Sequence, residues 1–162
     1  PWMVMLMLEA LGAQSAGLDP ELGLDKHFYN LATGRGKQVI GLETAEYQID
    51  RFDKMPDAMQ EQLLRSELSE METEKTGLRA LLTAWQTGDA ATIEKMLLTS
   101  FTDNPAAYHS LITERNRNWM PQLDACLKRP SPCFVIVGAA HVVGPQGLLA
   151  MLRQRGYRIE QQ

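Results

Sequence analysis

The stretch Cys133-Phe-Val-Ile-Val-Gly-Ala-Ala-His-Val-Val-Gly144 decides the predicted fold. Its first six residues are apolar and rich in β-branched side chains, which predicts a strand covered on both faces. Gly144-Pro145 predicts the start of a helix that ends at Gly156, and Tyr157-Arg-Ile-Glu160 predicts a short last strand. The order strand, helix, strand is that of a βαβ unit with parallel strands.

Upstream of this stretch the pattern is mainly helical. One further apolar run, Gln38-Val-Ile-Gly-Leu-Glu43, is bounded by turn residues and predicts another buried strand. Capping residues, prolines and glycines mark the helix ends. The predicted helices cover residues 2–14 (apolar nearly all round, hence buried), Asp19-Pro20-Glu21 to Gly34, Thr44 to about Phe52, a long region from Pro56 with breaks near Gly77 and Gly88-Asp89, and Asn104-Pro105 to about Lys128.

These elements predict a helix-rich α/β fold with a small, mostly parallel sheet of about three strands flanked by helices. The 162 residues are enough for a single domain that spans residues 1–162. A sheet of three strands is thin, and the chain begins with Pro1. We therefore expect it to be the C-terminal, larger part of a longer chain.

Charge and hydropathy narrow the classes of partner. Sixteen Lys and Arg residues against 20 Asp and Glu residues give a net charge of −4. Surfaces that bind nucleic acid usually carry a basic excess, so we expect no nucleic-acid partner. The longest apolar run, Trp2 to Leu8, is about a third of the length that a membrane span needs, so no span is expected in this chain.

Two polar residues follow the predicted strands. Glu43 ends the first strand, and His141 comes three residues after the second, in Gly138-Ala-Ala-His141. In open α/β sheets, ligands bind beyond the carboxyl ends of the strands, so both residues are candidates. A carboxylate and an imidazole together can bind a divalent metal or share a proton transfer. The alternative is that each is a capping or surface residue. Gln48 lies about one turn beyond Glu43 and either orients it or faces water.

The long helix that starts at Asn104-Pro105 provides a third candidate. Arg115 lies in the middle of an apolar stripe, Asn116 lies at its edge, and Arg117 points away from it. A guanidinium on an apolar face needs a partner, because an unpaired buried charge is costly. Arg115 is therefore either part of a structural ion pair or an arginine that holds a carboxylate or a substrate anion.

The chain has two cysteines, Cys126 and Cys133, on either side of a predicted turn. Such a turn brings two Cα atoms within disulfide range, so the sequence is compatible with a bridge and an oxidising compartment. The alternative is a pair of small apolar residues in a reducing cytoplasm. Nucleophilic catalysis by Cys133 and His141 is disfavoured, because the cysteine begins the predicted strand and the histidine follows its other end.

Several blocks of this sequence resemble the TraB/PrgY/GumN family, which includes bacterial GumN-like proteins and the TIKI proteases. The resemblance covers nearly the whole chain and includes the blocks around both Glu43 and His141. The matching blocks are Leu18 to Asp25, Val39 to Gln48, Glu114 to Trp119, Val135 to Gly144 and Leu148 to Tyr157.

The resemblance implies an erythromycin-esterase-like fold and a metal-dependent hydrolase or peptidase. Gly138 and His141 match the second of the family's two Gly-x-x-His motifs, Glu43 matches an acidic position, and Arg115 matches a helical arginine. The first Gly-x-x-His motif is absent, because no other histidine follows a glycine by three residues. Glu43 and His141 are then the expected ligands of Mn²⁺, Co²⁺ or Zn²⁺, and Gly138, Asn116 and Gln48 the expected binding residues.

Two functions follow for a chain that lacks one of the two motifs. The first is an incomplete metallohydrolase, in which Glu43, Arg115 and His141 are catalytic and the substrate is a peptide or a small molecule. The alternative is a non-catalytic helical domain that captures such a ligand. The resemblance to exported GumN-like proteins favours a periplasmic or secreted location, with the cytoplasm as the alternative.

Overall fold

The structure is a computed structural model that describes residues 1–71 and 74–162. The chain divides into two compact units, residues 1–79 and residues 80–162, and each unit is described by itself. The single domain over residues 1–162 stays a prediction.

The described residues are helical, with irregular segments between the helices. None of the helices in residues 1–71 and 74–162 has both the length and the apolarity to cross a membrane. The α-helices are α1 (Trp2–Ser15), α2 (Leu24–Gly34), α3 (Ala45–Asp53), α4 (Asp57–Met71), α5 (Glu74–Thr87), α6 (Ala90–Thr99), α7 (Pro105–Tyr108), α8 (Glu114–Leu127), α9 (Ala139–Val142) and α10 (Leu148–Gln154).

In the N-terminal unit, α1 packs against α4, and the Trp2 ring stacks on Phe52 with 5.8 Å between ring centroids. The predicted burial of α1 is wrong for most of its apolar side chains: Met5 is buried, but Met3 and Met7 are exposed. Asp19 accepts a hydrogen bond from the Glu21 backbone N–H, as predicted, although the turn it caps is a short 3₁₀ helix and α2 follows separately.

The long predicted helices need two corrections. Gly77 does not interrupt a helix, because it lies inside α5. The helix predicted from Asn104 begins there, with the Asn104 side chain accepting from the Ala107 backbone N–H, and its helical residues end at Leu127. It is not one uninterrupted α-helix: a π-helical turn, His109–Thr113, separates α7 from α8.

In the C-terminal unit, Ala84 of α5, Ile93 of α6 and Val143, which directly follows α9, form a small hydrophobic cluster. A second group of buried side chains lies on the π-helical turn and on α8. The short helix α9, which carries His141, contacts α6, α10 and the π-helical turn. The buried residues of the second group are Leu111, Ile112, Trp119, Met120 and Leu123.

The prediction of an α/β fold with a parallel sheet is wrong. Residues 38–43, 133–138 and 157–160 were each expected to form a strand, but none of them pairs into a sheet within the described residues. Phe134 is 72% exposed and Ile40 is 55% exposed, although both were expected to lie inside a sheet.

The physical reason for this error is that strands, unlike helices, need a partner. An apolar segment becomes a buried strand only if another strand supplies the ladder of hydrogen bonds, and an apolar run in the sequence does not show whether that strand exists. Here residues 133–137 and 37–41 lie between helices without such a ladder, so their apolar side chains stay largely exposed. The erythromycin-esterase-like sheet implied by the resemblance is likewise absent from the described residues.

Cys126, near the end of α8, forms a disulfide bond with Cys133, at the start of the extended segment. Their Cα atoms are 6.2 Å apart and the cysteines are seven positions apart in the sequence. The bond therefore closes the turn between α8 and the segment that leads to His141. Because it uses both cysteines, neither is free for Cys–His catalysis.

We expect the bridge to stabilise the C-terminal unit. Closing so short a loop restricts the unfolded chain and contributes roughly 2 kcal/mol to the free energy of unfolding. Thiol counting in denaturant should find no free thiols before reduction and two after it, and Cys126→Ser/Cys133→Ser should unfold at lower urea concentration than the oxidised protein. Two free thiols in the unreduced protein would contradict the bridge.

Candidate functional site

The candidate site forms around His141 on α9, a helix of four residues that starts directly after Gly138. The His141 backbone N–H donates to the Gly138 carbonyl at 2.9 Å, which turns the chain so that the imidazole faces inward. A Cβ at residue 138 would lie 3.9 Å from the imidazole ring, in ordinary contact. His141 is only 6% exposed, so its surroundings determine its chemistry.

The carboxamide of Asn116, on α8, is the hydrogen-bond partner of this imidazole. Asn116 is fully buried, and its Oδ1 lies 2.7 Å from His141 Nδ1. Its Nδ2 donates to two backbone carbonyls, that of His141 at 3.1 Å and that of Gln146 at 2.9 Å. All three hydrogen bonds of the Asn116 carboxamide are therefore made to His141 and Gln146.

These contacts fix both the amide orientation and the imidazole tautomer. Two carbonyl oxygens can only accept, so the side of the Asn116 amide that faces them must be the NH₂ group. Its Oδ1 then faces Nδ1 of His141, which must carry the proton and donate it. In a neutral imidazole the other nitrogen, Nε2, is left as an acceptor with a lone pair. No residue in the described part of the chain hydrogen-bonds to Nε2.

The imidazole is neutral at physiological pH. Burial, and after it the positive charge of nearby Arg115, together lower the pKa of His141 from 6.5 to about 4. An unprotonated Nε2 is the form that binds a metal or accepts a proton.

Arg115 and Trp119 extend the site along the face of α8. The Trp119 and His141 rings are 4.5 Å apart between centroids, and the Arg115 guanidinium carbon lies 5.1 Å from the centroid of the Trp119 ring. The guanidinium also donates to the Leu111 carbonyl at 3.0 Å, within the π-helical turn. Such turns interrupt regular helical hydrogen bonding, which makes carbonyls available to side-chain donors.

The turn after α9 positions the Gln146 carbonyl that Asn116 binds. The predicted helix start at Gly144-Pro145 is three residues too early, since α10 begins at Leu148. Gly144 has φ +83°, and Gly147 leaves no room for a side chain because a Cβ there would lie 2.2 Å from the Val143 carbonyl oxygen. The two glycines therefore allow a tight turn, closed by a 3.0 Å bond from Gly147 N–H to the Gly144 carbonyl.

The remaining predicted residues belong to the N-terminal unit. Glu43 is half-buried and lies in the bend before Thr44, and Thr44 caps α3 by accepting from the Tyr47 backbone N–H at 3.1 Å. Gln48 is exposed on α3. The structure thus brings together Gly138, His141, Asn116 and Arg115 within one unit, whereas Glu43 and Gln48 lie in the other.

Sequence reasoning missed how Asn116 acts. It placed this residue at the edge of an apolar stripe, but the partners of the carboxamide are 25 and 30 positions away and leave no local signal. Residues 1–71 and 74–162 contain no cluster of three or more His, Cys, Asp and Glu side chains that could hold a metal.

His141 in its Gly-x-x-His turn and Arg115 on α8 are among the residues through which the sequence resembles a known family. The chain belongs to the TraB/PrgY/gumN family, whose family model matches residues 1–161. The uncharacterized protein YbaP of Escherichia coli K12 is 32% identical over 152 residues, which are 94% of this chain and 56% of that protein. YbaP of Shigella flexneri matches to the same extent.

The chain thus spans little more than half the length of the curated relatives it matches. No solved structure matches it.

The depressed pKa of His141 predicts how stability depends on pH. The unfolded chain binds a proton near pH 6.5 but the native state only near pH 4, so stability falls as the pH drops through this interval. The shift in pKa lowers the free energy of unfolding by about 3 kcal/mol between neutral pH and pH 4. Urea unfolding at several pH values should show this loss in the wild type and not in His141→Gln. The variant is the control for carboxylates, which titrate in the same pH range in both proteins. An NMR titration midpoint near 6.5 for His141 would contradict the prediction.

Replacement of Asn116 by leucine should strongly destabilise the C-terminal unit. Leucine has a similar size but leaves Nδ1 of His141 and two carbonyls without their partner, at a cost of roughly 3 kcal/mol or more. The matched control is Asn118→Leu, an exposed position on the same helix, which should change the free energy of unfolding by less than about 1 kcal/mol. Equal effects of the two substitutions in urea unfolding would show that the Asn116 amide has no special role.

Proposed function

We propose that this chain carries part of a metal-dependent hydrolase or peptidase centre of the TraB/GumN type, with His141 as its central residue. The observation that carries the proposal is the neutral imidazole whose Nδ1 is held by Asn116, so that Nε2 keeps its lone pair. An imidazole in this state is suited to act as a metal ligand or as a general base that accepts a proton from water.

The residues of the C-terminal unit fit a divalent metal in one respect. A metal-bound histidine usually donates its other ring N–H to an oxygen atom, and Asn116 Oδ1 supplies this oxygen to His141. A bound Mn²⁺, Co²⁺ or Zn²⁺ would activate water and polarise a carbonyl group. Further ligands would be required, and Glu43 is the acidic residue that the family resemblance assigns; its role as ligand or base stays a prediction.

The position of Arg115 favours binding of an anionic group of a substrate or ligand. Its guanidinium lies over Trp119, whose ring contacts the imidazole, and its charge acts on His141 directly. A cation in this place would orient a substrate carboxylate or stabilise the oxyanion that forms when a carbonyl is attacked. The same placement would also hold a ligand without any reaction, which is the alternative function of a non-catalytic binding domain.

We expect His141 to be required for binding of a divalent metal. Titration calorimetry should be run on this chain with Mn²⁺, Co²⁺ and Zn²⁺. His141→Ala should lose the heat of binding, because the Nε2 ligand is removed, whereas His109→Ala, an exposed histidine on the π-helical turn, should retain it.

Peptide hydrolysis should follow the same pattern as metal binding. We expect metal-dependent cleavage of a peptide library, followed by mass spectrometry, to be lost in His141→Ala and reduced in Glu43→Gln. Absence of both metal-dependent heat and cleavage would exclude the hydrolase and leave the binding domain.

A further inference from the structure

A solvent-open cleft of about 240 Å³ lies in the C-terminal unit, next to the candidate site but separate from it. Its walls come from α8, from the turn after α9, and from α10. We call it the Arg117 cleft. Its lining includes Arg117, Met120, Gln146, Met151, Gln154 and Arg155.

The cleft carries one uncompensated positive charge. Arg155 donates to the Asp124 carboxylate, so the charge of Arg155 is balanced. Arg117 is exposed and has no ion-pair partner within residues 1–71 and 74–162. No acidic side chain is among the residues that line the cleft in this part of the chain. In a protein of net charge −4, this local positive charge favours a bound anion.

The walls define which kind of anion fits. Met151 and Pro145 give the cleft apolar surface beside the guanidinium, whereas Met120 is 1% exposed and adds almost no accessible surface. The side chains of Gln146 and Gln154 add hydrogen-bonding groups. The volume is below the range of about 300–1,000 Å³ that is typical for drug-sized ligands, so it suits a group as small as one amino-acid residue.

We propose that the Arg117 cleft binds the C-terminal carboxylate of a peptide, with the last side chain against Met151 and Pro145. A guanidinium binds a carboxylate through two parallel hydrogen bonds, and a single unbalanced cation matches a single negative charge. A polyanion would need several cations, which the cleft does not have.

Two hydrogen bonds, through Asn116, connect the cleft to the imidazole. Gln146 lines the cleft, and the Gln146 carbonyl accepts from Asn116, whose Oδ1 holds His141. As the end of a substrate site the cleft rests on the proposed function. As a binding site it does not, because nothing in its lining requires a metal.

The test measures binding of acetyl-Ala-Leu with a free carboxylate and of the same dipeptide as an amide, by calorimetry in the presence of EDTA. We expect the acid to bind at least tenfold more tightly than the amide. Arg117→Gln should abolish this difference. Arg158→Gln, which removes an equal charge at an exposed arginine paired with Glu160, should preserve it. Circular dichroism and thermal unfolding verify that both variants fold.

Three results would overturn the proposal: equal binding of acid and amide, equal losses in the two variants, and displacement of the peptide by inorganic phosphate at lower concentration than by acetate. The outcome is separable from that of the hydrolase. Peptide binding without metal-dependent cleavage retains the cleft and removes the enzyme, whereas cleavage without any acid preference removes the cleft and retains the enzyme.

Discussion

The C-terminal unit depends on one buried carboxamide. Asn116 has no exposed surface, and its three hydrogen bonds reach the imidazole of His141, the carbonyl of the same residue and the carbonyl of Gln146. Burying an amide is unfavourable unless its hydrogen bonds are made, so α8, α9 and the turn after α9 must keep their positions together. The neutral state and tautomer of His141 are therefore consequences of the fold and exist before any ligand binds.

The fold could be predicted from the sequence wherever the determining contacts are local. Thr44 and Asn104 each cap a helix by accepting from a backbone N–H three positions later, and both helix starts were predicted correctly. The predicted strands were wrong because the decisive contact for a strand is a partner elsewhere in the chain. The β-branched run in residues 133–138 shows that these side chains suit a sheet, but it does not show whether a partner strand is present.

The candidate site could be predicted in its residue types but not in its connections. His141 and Arg115 were identified from their places after an apolar run and on an apolar stripe, and the structure puts both against Trp119. The link through Asn116 depends on carbonyls that any residue could supply, so no side-chain pattern reveals it. The orientation of Arg117 away from the apolar stripe was inferred from helical periodicity, but periodicity does not show that α10 forms a cleft there.

The segment that leads to His141 is held at its two ends and not in its middle. Cys126 anchors its start at Cys133 through the disulfide, and Asn116 anchors its far end at His141. Between them Phe134 and Val135 are largely exposed. Since both anchors come from α8, the distance from this helix to the imidazole does not depend on what covers the apolar side chains between them. A strand that paired with residues 133–137 would bury these side chains without breaking any hydrogen bond of the His141 imidazole.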